Sequence, residues 1–215
     1  MENRISFNFS ARYFASDTVS ARTPHLWFVL HGYGQLAEFF LRKFSSLPED
    51  HVVVAPEGLS RFYLADLQDG KRLHQRVGAT WMTRENREMD IENYLTYLNA
   101  VYAAVVPTSF AGKITVLGFS QGAATAVRWV IHHPSVCHRL VVWAGAFPHD
   151  MNLNDASRVL ASKEVIQVYG LSDPLITDES LANMNNLNRT LGLNPQIITF
   201  EGKHEIDAPT LLKLV

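Results

Sequence analysis

Cysteine is almost absent: Cys137 is the single thiol in 215 residues, so no intrachain disulfide can hold the fold and nothing points to an oxidising compartment. Set between Val136 and His138 without a partner motif, that thiol reads as an inert residue rather than a nucleophile. Long apolar runs are missing as well. Glycine, histidine or charge interrupts each run before it reaches the ~20 residues that span a bilayer. The first ten residues alternate polar and apolar and include Glu2 and Arg4, which excludes the continuous apolar core of a secretory signal. Neither sign of charge dominates: 19 Lys and Arg against 21 Asp and Glu leave a net charge of -2, with no field to attract nucleic acid. Internal repeats, low-complexity tracts and sustained heptads are lacking too, which argues against a scaffold. These absences lead to the expectation of a cytoplasmic protein with no membrane span and no nucleic-acid partner, and with room for a homodimer through an exposed face.

What is present is an ordinary globular composition, 47% hydrophobic and 19% charged, in a chain sized for one core; residues 1–215 are expected to form a single domain. Short apolar runs at 25–31, 52–55, 114–117, 140–143, 165–169 and 197–200 have the length and β-branched content of buried strands. Helix-period segments at 36–47, 88–106, 121–133, 156–162, 178–191 and 208–214 lie between or after them. Alternation of this kind predicts an α/β fold: a mostly parallel sheet with helices on both faces. At the start, Ile5, Phe7 and Phe9 alternate with polar residues ahead of Tyr13 and Phe14, the pattern of an antiparallel edge strand or hairpin. The stretch 58–83 is expected to be a long irregular loop beside a site, or else a surface excursion with its own aromatic cluster.

Gly118-Phe119-Ser120-Gln121-Gly122 is a G-x-S-x-G placed directly after a strand and before a helix. A sharp strand-to-helix turn forces the serine into a strained conformation that exposes its hydroxyl, and the glycines keep side chains out of the close approach. The competing reading is a glycine-rich turn whose serine caps a helix. A serine hydroxyl needs a base, and of nine histidines only His204 follows the last strand, on the short Glu201-Gly202-Lys203 loop. His25, His51, His132, His133 and His138 flank strands or sit on a helix, and His74 falls in the long loop. The acid that orients the base should end the strand before the histidine-bearing one, where Asp173 stands ahead of Pro174; Asp150, Asp155 and Asp178 read more simply as turn or cap residues. A tetrahedral intermediate needs two preorganised N–H donors. The backbone amides of Gln121 and of Tyr33, within His31-Gly32-Tyr33-Gly34-Gln35, are the candidates.

With HGYGQ, GFSQG, GLSDPLI and GKHEI in that order, the chain resembles the phospholipase/carboxylesterase family of α/β hydrolases, which includes small bacterial esterases and acyl-protein thioesterases. The resemblance spans roughly residues 26–214 and takes in Ala55-Pro56-Glu57-Gly58 and Ala144-Gly145-Ala146-Phe147-Pro148. It implies a compact lidless α/β hydrolase without metal or organic cofactor, with Ser120, Asp173 and His204 as the triad and Tyr33 and Gln121 at the oxyanion hole. Tyr33, Gln35 and the residues around Trp81 depart from the better-known thioesterases, which bears on substrate choice and not on acyl transfer.

The expected reaction is hydrolysis of a small-molecule carboxylic ester, or a thioester, through an acyl-enzyme on Ser120. Phe62, Tyr63, Trp81, Met82 and Phe147 are the candidates for an apolar substrate pocket, although each could equally be core. A serine peptidase or amidase, and a silent module that binds a ligand without turning it over, are the alternatives.

Overall fold

The computed structural model describes residues 1, 3–64, 67–68, 71–72 and 76–215. His74 and part of the 58–83 stretch lie outside the described residues. In chain order the strands are β1 (Tyr13–Ala15), β2 (His25–Leu30), β3 (His51–Pro56), β4 (Ser60–Leu64), β5 (Leu67–Gln68), β6 (Lys71–Arg72), β7 (Arg76–Thr80), β8 (Lys113–Phe119), β9 (Arg139–Trp143), β10 (Glu164–Gly170) and β11 (Gln196–Phe200). The helices are α1 (Ala37–Leu41), α2 (Arg87–Val105), α3 (Gln121–His132), α4 (Leu153–Leu160), α5 (Asp178–Leu191) and α6 (Ala208–Leu212).

Seven strands form one sheet in the order β1-β3-β2-β8-β9-β10-β11. All of its pairings are parallel except the edge, where β1 runs antiparallel to β3 with Tyr13 opposite Pro56 and Ala15 opposite Val54. Because side chains alternate across a strand, the apolar runs supply two cores at once. On one face Leu26, Phe28, Leu30 and Val116 meet Leu98 of α2, Trp129 of α3, Leu160 of α4 and Leu191 of α5. On the other, Trp27, Val29, Leu117 and Phe119 meet Phe40 of α1 and Leu211 of α6.

The chain leaves β2 for β3 on one side and returns to β8 on the other, so the strand order reverses between β2 and β8. In open α/β sheets the loops at the carboxyl ends diverge at such a point and leave a crevice. Both glycine-rich motifs follow these two strands, which brings them together. Among the described residues no helix is long and apolar enough to cross a membrane.

Local differences from the sequence expectation have identifiable causes. The N-terminal strand is confined to Tyr13–Ala15; Ile5, Phe7 and Phe9 are exposed and outside any strand, because their alternation finds no partner edge. Within 58–83 the chain forms a hairpin, with β4 antiparallel to β7 and Ser60 opposite Thr80. α1 is short and tightens into a 3-10 turn at Arg42–Phe44. α4 starts three residues earlier than its apolar period suggests, since Asn152 caps it by accepting from the Asn154 and Asp155 amides.

Candidate active site

Ser120 stands between β8 and α3 with φ 56° and ψ −118°, a conformation that costs an L-residue on the order of 1–3 kcal/mol. The glycines beside it are sterically required. A Cβ on Gly118 would lie 2.2 Å from the Gly122 carbonyl oxygen, and one on Gly122 would lie 2.2 Å from the Leu30 oxygen. The turn is also tied to the next strand, as the Ser120 amide donates to the Trp143 carbonyl at 2.9 Å.

The loops after β10 and β11 are joined backbone to backbone. Leu171 N donates to Phe200 O and Ser172 N to Gly202 O, both at 2.9 Å, and a Cβ on Gly170 would sit 2.4 Å from that Gly202 oxygen. Asp173 and His204 are thereby brought face to face. The Asp173 side chain is fully buried; its Oδ1 accepts from Leu175 N at 2.9 Å and its Oδ2 accepts from His204 Nδ1 at 2.7 Å. A carboxylate cannot donate, so the proton sits on Nδ1 and Nε2 is left as an acceptor. Trp143 Nε1 holds the same loop through Glu205 O at 2.8 Å. The imidazole lies 4.8 Å, ring to ring, from Phe119, the neighbour of Ser120. Among the described residues His204 hydrogen-bonds Asp173 and not Ser120; a base and nucleophile often close up only when substrate is bound. The other acids are committed elsewhere: Asp150 to Arg128 and Arg87, Asp155 to Arg158, and Asp178 to the first turn of α5.

The HGYGQ turn is fixed from inside. His31 is fully buried; its Nδ1 donates to Gly32 O at 2.8 Å and its Nε2 accepts from Gly58 N at 2.9 Å. Burial pushes its pKa down, against the Gly32 hydrogen bond and the Glu57 charge, so the ring is held neutral. Gln35 Oε1 accepts from Gly32 N at 2.9 Å, and Gly34 N donates to Ala79 O at 2.9 Å, with Gly34 at φ +72°. A Cβ on Gly32 would come within 3.2 Å of Ser120 Cβ, so this turn lies against the nucleophile turn. Between its two committed neighbours, the Tyr33 amide has no acceptor among the described residues, and neither has the Gln121 amide at the start of α3.

A contribution invisible in the sequence comes from the Gln121 side chain. Its Oε1 accepts from Trp81 N at 3.2 Å, while Nε2 donates to Thr80 Oγ1 at 2.9 Å and Met82 O at 3.0 Å. One amide thus clamps the end of the β4–β7 hairpin to the serine turn.

The five candidate pocket residues are scattered. Trp81 and Phe147 are buried in the core, Trp81 donating from Nε1 to His31 O at 2.8 Å. Met82 packs partly buried against the core, its sulfur near Arg128. Phe62 lies over Tyr33 with ring centroids 5.1 Å apart, and Tyr63 is exposed. The cavity that opens on Ser120, about 190 Å³, is lined by none of these but by the ends of β9 and β10 and by Leu175, Ile176, Leu181 and Met184. Ser120, Ala144, Gly145, Ala146, Leu175 and Ile176 stand in the GFSQG, AGAFP and GLSDPLI motifs, but the space is enclosed only where α5 packs over the strand ends. Among the described residues no group of three or more His, Cys, Asp or Glu is placed to hold a metal ion.

A parallel sheet whose order reverses at β2 and β8, with a strained serine at the end of β8, defines an α/β hydrolase. The phospholipase/carboxylesterase family model matches residues 18–214, and the chain belongs to that family. Solved structures agree in fold. Zea mays acyl-protein thioesterase 2 superposes with a TM-score of 0.70 at 14% identity, covering 95% of this chain and 96% of that one. A Bacillus cereus carboxylesterase gives 0.65 at 16% identity over 96% and 92% of the two chains. A Mesorhizobium loti carboxylesterase gives 0.65 at 16% identity over 92% and 88%. A comparison with curated proteins returns no match.

Proposed function

We propose that the chain acts as a single cytoplasmic domain that hydrolyses carboxylic esters of small acyl substrates, with Ser120 as nucleophile, His204 as base and Asp173 as the acid that orients it. The observation that carries this reading is the 2.7 Å bond from His204 Nδ1 to a fully buried Asp173, on a ring packed beside the strained serine turn.

Ser120 Oγ attacks the carbonyl carbon while His204 Nε2 takes its proton, and the carbonyl π electrons move onto oxygen. The main-chain N–H groups of Tyr33 and Gln121 donate to that oxyanion. Asp173 keeps the imidazole in the Nδ1–H tautomer and stabilises the imidazolium. Collapse breaks the bond to the alkoxy oxygen, which leaves with the proton from Nε2. Water then repeats the sequence on the acyl-enzyme and releases the acid, using no group beyond these residues. A thiol leaving group follows the same path, and family membership supports carboxylic ester substrates.

The test is fluorophosphonate labelling with the adduct located by mass spectrometry, beside ester turnover by wild type, Ser120→Ala and Asp173→Asn. We expect stoichiometric labelling at Ser120 and a loss of about 10³-fold or more in kcat for each variant. Undiminished hydrolysis by folded Ser120→Ala sinks the proposal.

A further inference from the structure

We infer that the cavity beneath α5 binds the acyl portion of the ester, and that it selects compact, uncharged acyl groups of about five to seven carbons. This rests on Ser120 being the nucleophile.

Ser120 forms part of the cavity wall, so a group inside it is attached at, or adjacent to, the reacting carbon. The two halves of an ester are then told apart by the proton. The leaving oxygen must take its proton from His204 Nε2, so the alcohol has to lie on the imidazole side. His204 is absent from the cavity lining, which leaves the acyl group as its occupant.

Chemistry narrows the class. No charged side chain lines the space. Two of its polar side chains are already spent. Gln167 and Asn188 exchange a pair of hydrogen bonds at 3.0 and 3.1 Å. Ser180 Oγ donates to Thr177 O and accepts from Thr177 N, both at 2.8 Å, within the capping box of α5. A carboxylate or ammonium placed there would lose its hydration with no opposite charge on the wall in return, which selects against dicarboxylic and aminoacyl esters. Size narrows it further. An apolar cavity of ~150 Å³ holds benzene, so the ~190 Å³ here takes roughly one carbon more than six. Leu181 and Met184, one turn apart on α5, form a wall of adaptable side chains, while Gly145 and Ala146 keep the opposite side small.

Two ester series test this: p-nitrophenyl esters from acetate to dodecanoate, and butanoates of alcohols from methanol to octanol, each with wild type, Ser120→Ala, Met184→Ala and Met184→Trp. Met184 is only partly buried on a helix surface, and fluorophosphonate labelling of Ser120 reports which Met184 variants are folded, while circular dichroism does so for Ser120→Ala. In wild type, kcat/KM should rise about fourfold per acyl methylene, the worth of one buried CH2, up to five to seven carbons, and fall at least tenfold by dodecanoate. Alcohol length should change it far less. Met184→Ala should move the optimum two or three carbons longer, and Met184→Trp should move it to acetate or propanoate. Serine-dependent hydrolysis with a flat acyl profile, or an optimum that neither Met184 variant moves, overturns this inference alone. Hydrolysis surviving in Ser120→Ala, or no Ser120 adduct and no turnover, overturns the nucleophile assignment and the inference with it.

Discussion

At the carboxyl ends of the strands, backbone meets backbone. Gly118 abuts Gly122, Gly122 abuts Leu30, Gly170 abuts Gly202 and Gly78 abuts Gly34, each so closely that a Cβ would fall within 2.2–2.4 Å of a carbonyl oxygen. Ser120 and Ala144 both carry positive φ there. At the amino ends, among the described residues, one such approach is found, Gly112 against Thr23, and side chains make other joins: His25 stacks on His51 with centroids 4.4 Å apart, His138 Nδ1 accepts from Ile114 N, and Arg139 pairs with Glu164. The two ends share the same strands and cores, so the difference belongs to the site. Strained turns and close approaches hold N–H groups and a hydroxyl at fixed points in a way that long side chains cannot, and the buried sheet supplies the free energy that keeps them there.

The largest effect should come from placing a methyl group in one of these approaches. Gly122→Ala should lose about 3 kcal/mol or more in urea unfolding, along with Ser120 labelling, whereas His25→Gln at the other end should cost under about 1 kcal/mol and label normally. Equal losses from the two would erase the distinction between the ends.

A titration tests it next. His31 binds its proton less readily in the fold than in the unfolded chain, whose pKa is near 6.5, because burial disfavours the charged ring. Below that pH the unfolded state binds the extra proton, so stability should fall as pH drops, by at most about 1.4 kcal/mol per unit for one group. His25, also shifted down by burial and then by His51, adds in the same direction from the amino end. Unfolding measured from pH 7.5 to 5.5 should show the slope, and His31→Gln should flatten it more than His25→Gln; the reverse ranking contradicts the burial argument.

The smallest effect sharpens the comparison most. Ser120→Gly removes the side chain that suffers at φ 56°, and despite the added freedom of the unfolded chain it should raise stability by about 1 kcal/mol while abolishing turnover. A loss of stability in thermal or urea unfolding would mean that the turn stores no strain.

Chain order and local chemistry made much of this protein legible. Every parallel strand was marked by an apolar run: β2, β3, β8, β9 and β10 are buried on both faces and have no polar side to show, while the edge strand β11 carries its run although Ile197 is exposed. Ser120, Asp173 and His204 stood out because each follows a strand end in a fixed order, and the structure brings Asp173 and His204 together. The hairpin of β4 and β7 was not read from the sequence, although Asp69-Gly70 between its arms is a hairpin signal; what the sequence could not show is that it docks on Gly34 and Gln35 through Ala79. The exposed Ile5, Phe7 and Phe9 show the converse: alternation without an edge to pair with makes no strand.

By itself the sequence determined the α/β class and singled out the serine turn and the candidate acid and base, because these depend on residue type and order along the chain. Tertiary structure alone decided that Gln121 clamps the hairpin, that Trp81 and Phe147 are core, and that α5 roofs a cavity beside Ser120. Those contacts join segments tens of residues apart through packing, and although Gln121 and Phe147 stand in recognisable motifs, nothing in a motif says which distant segment it will meet.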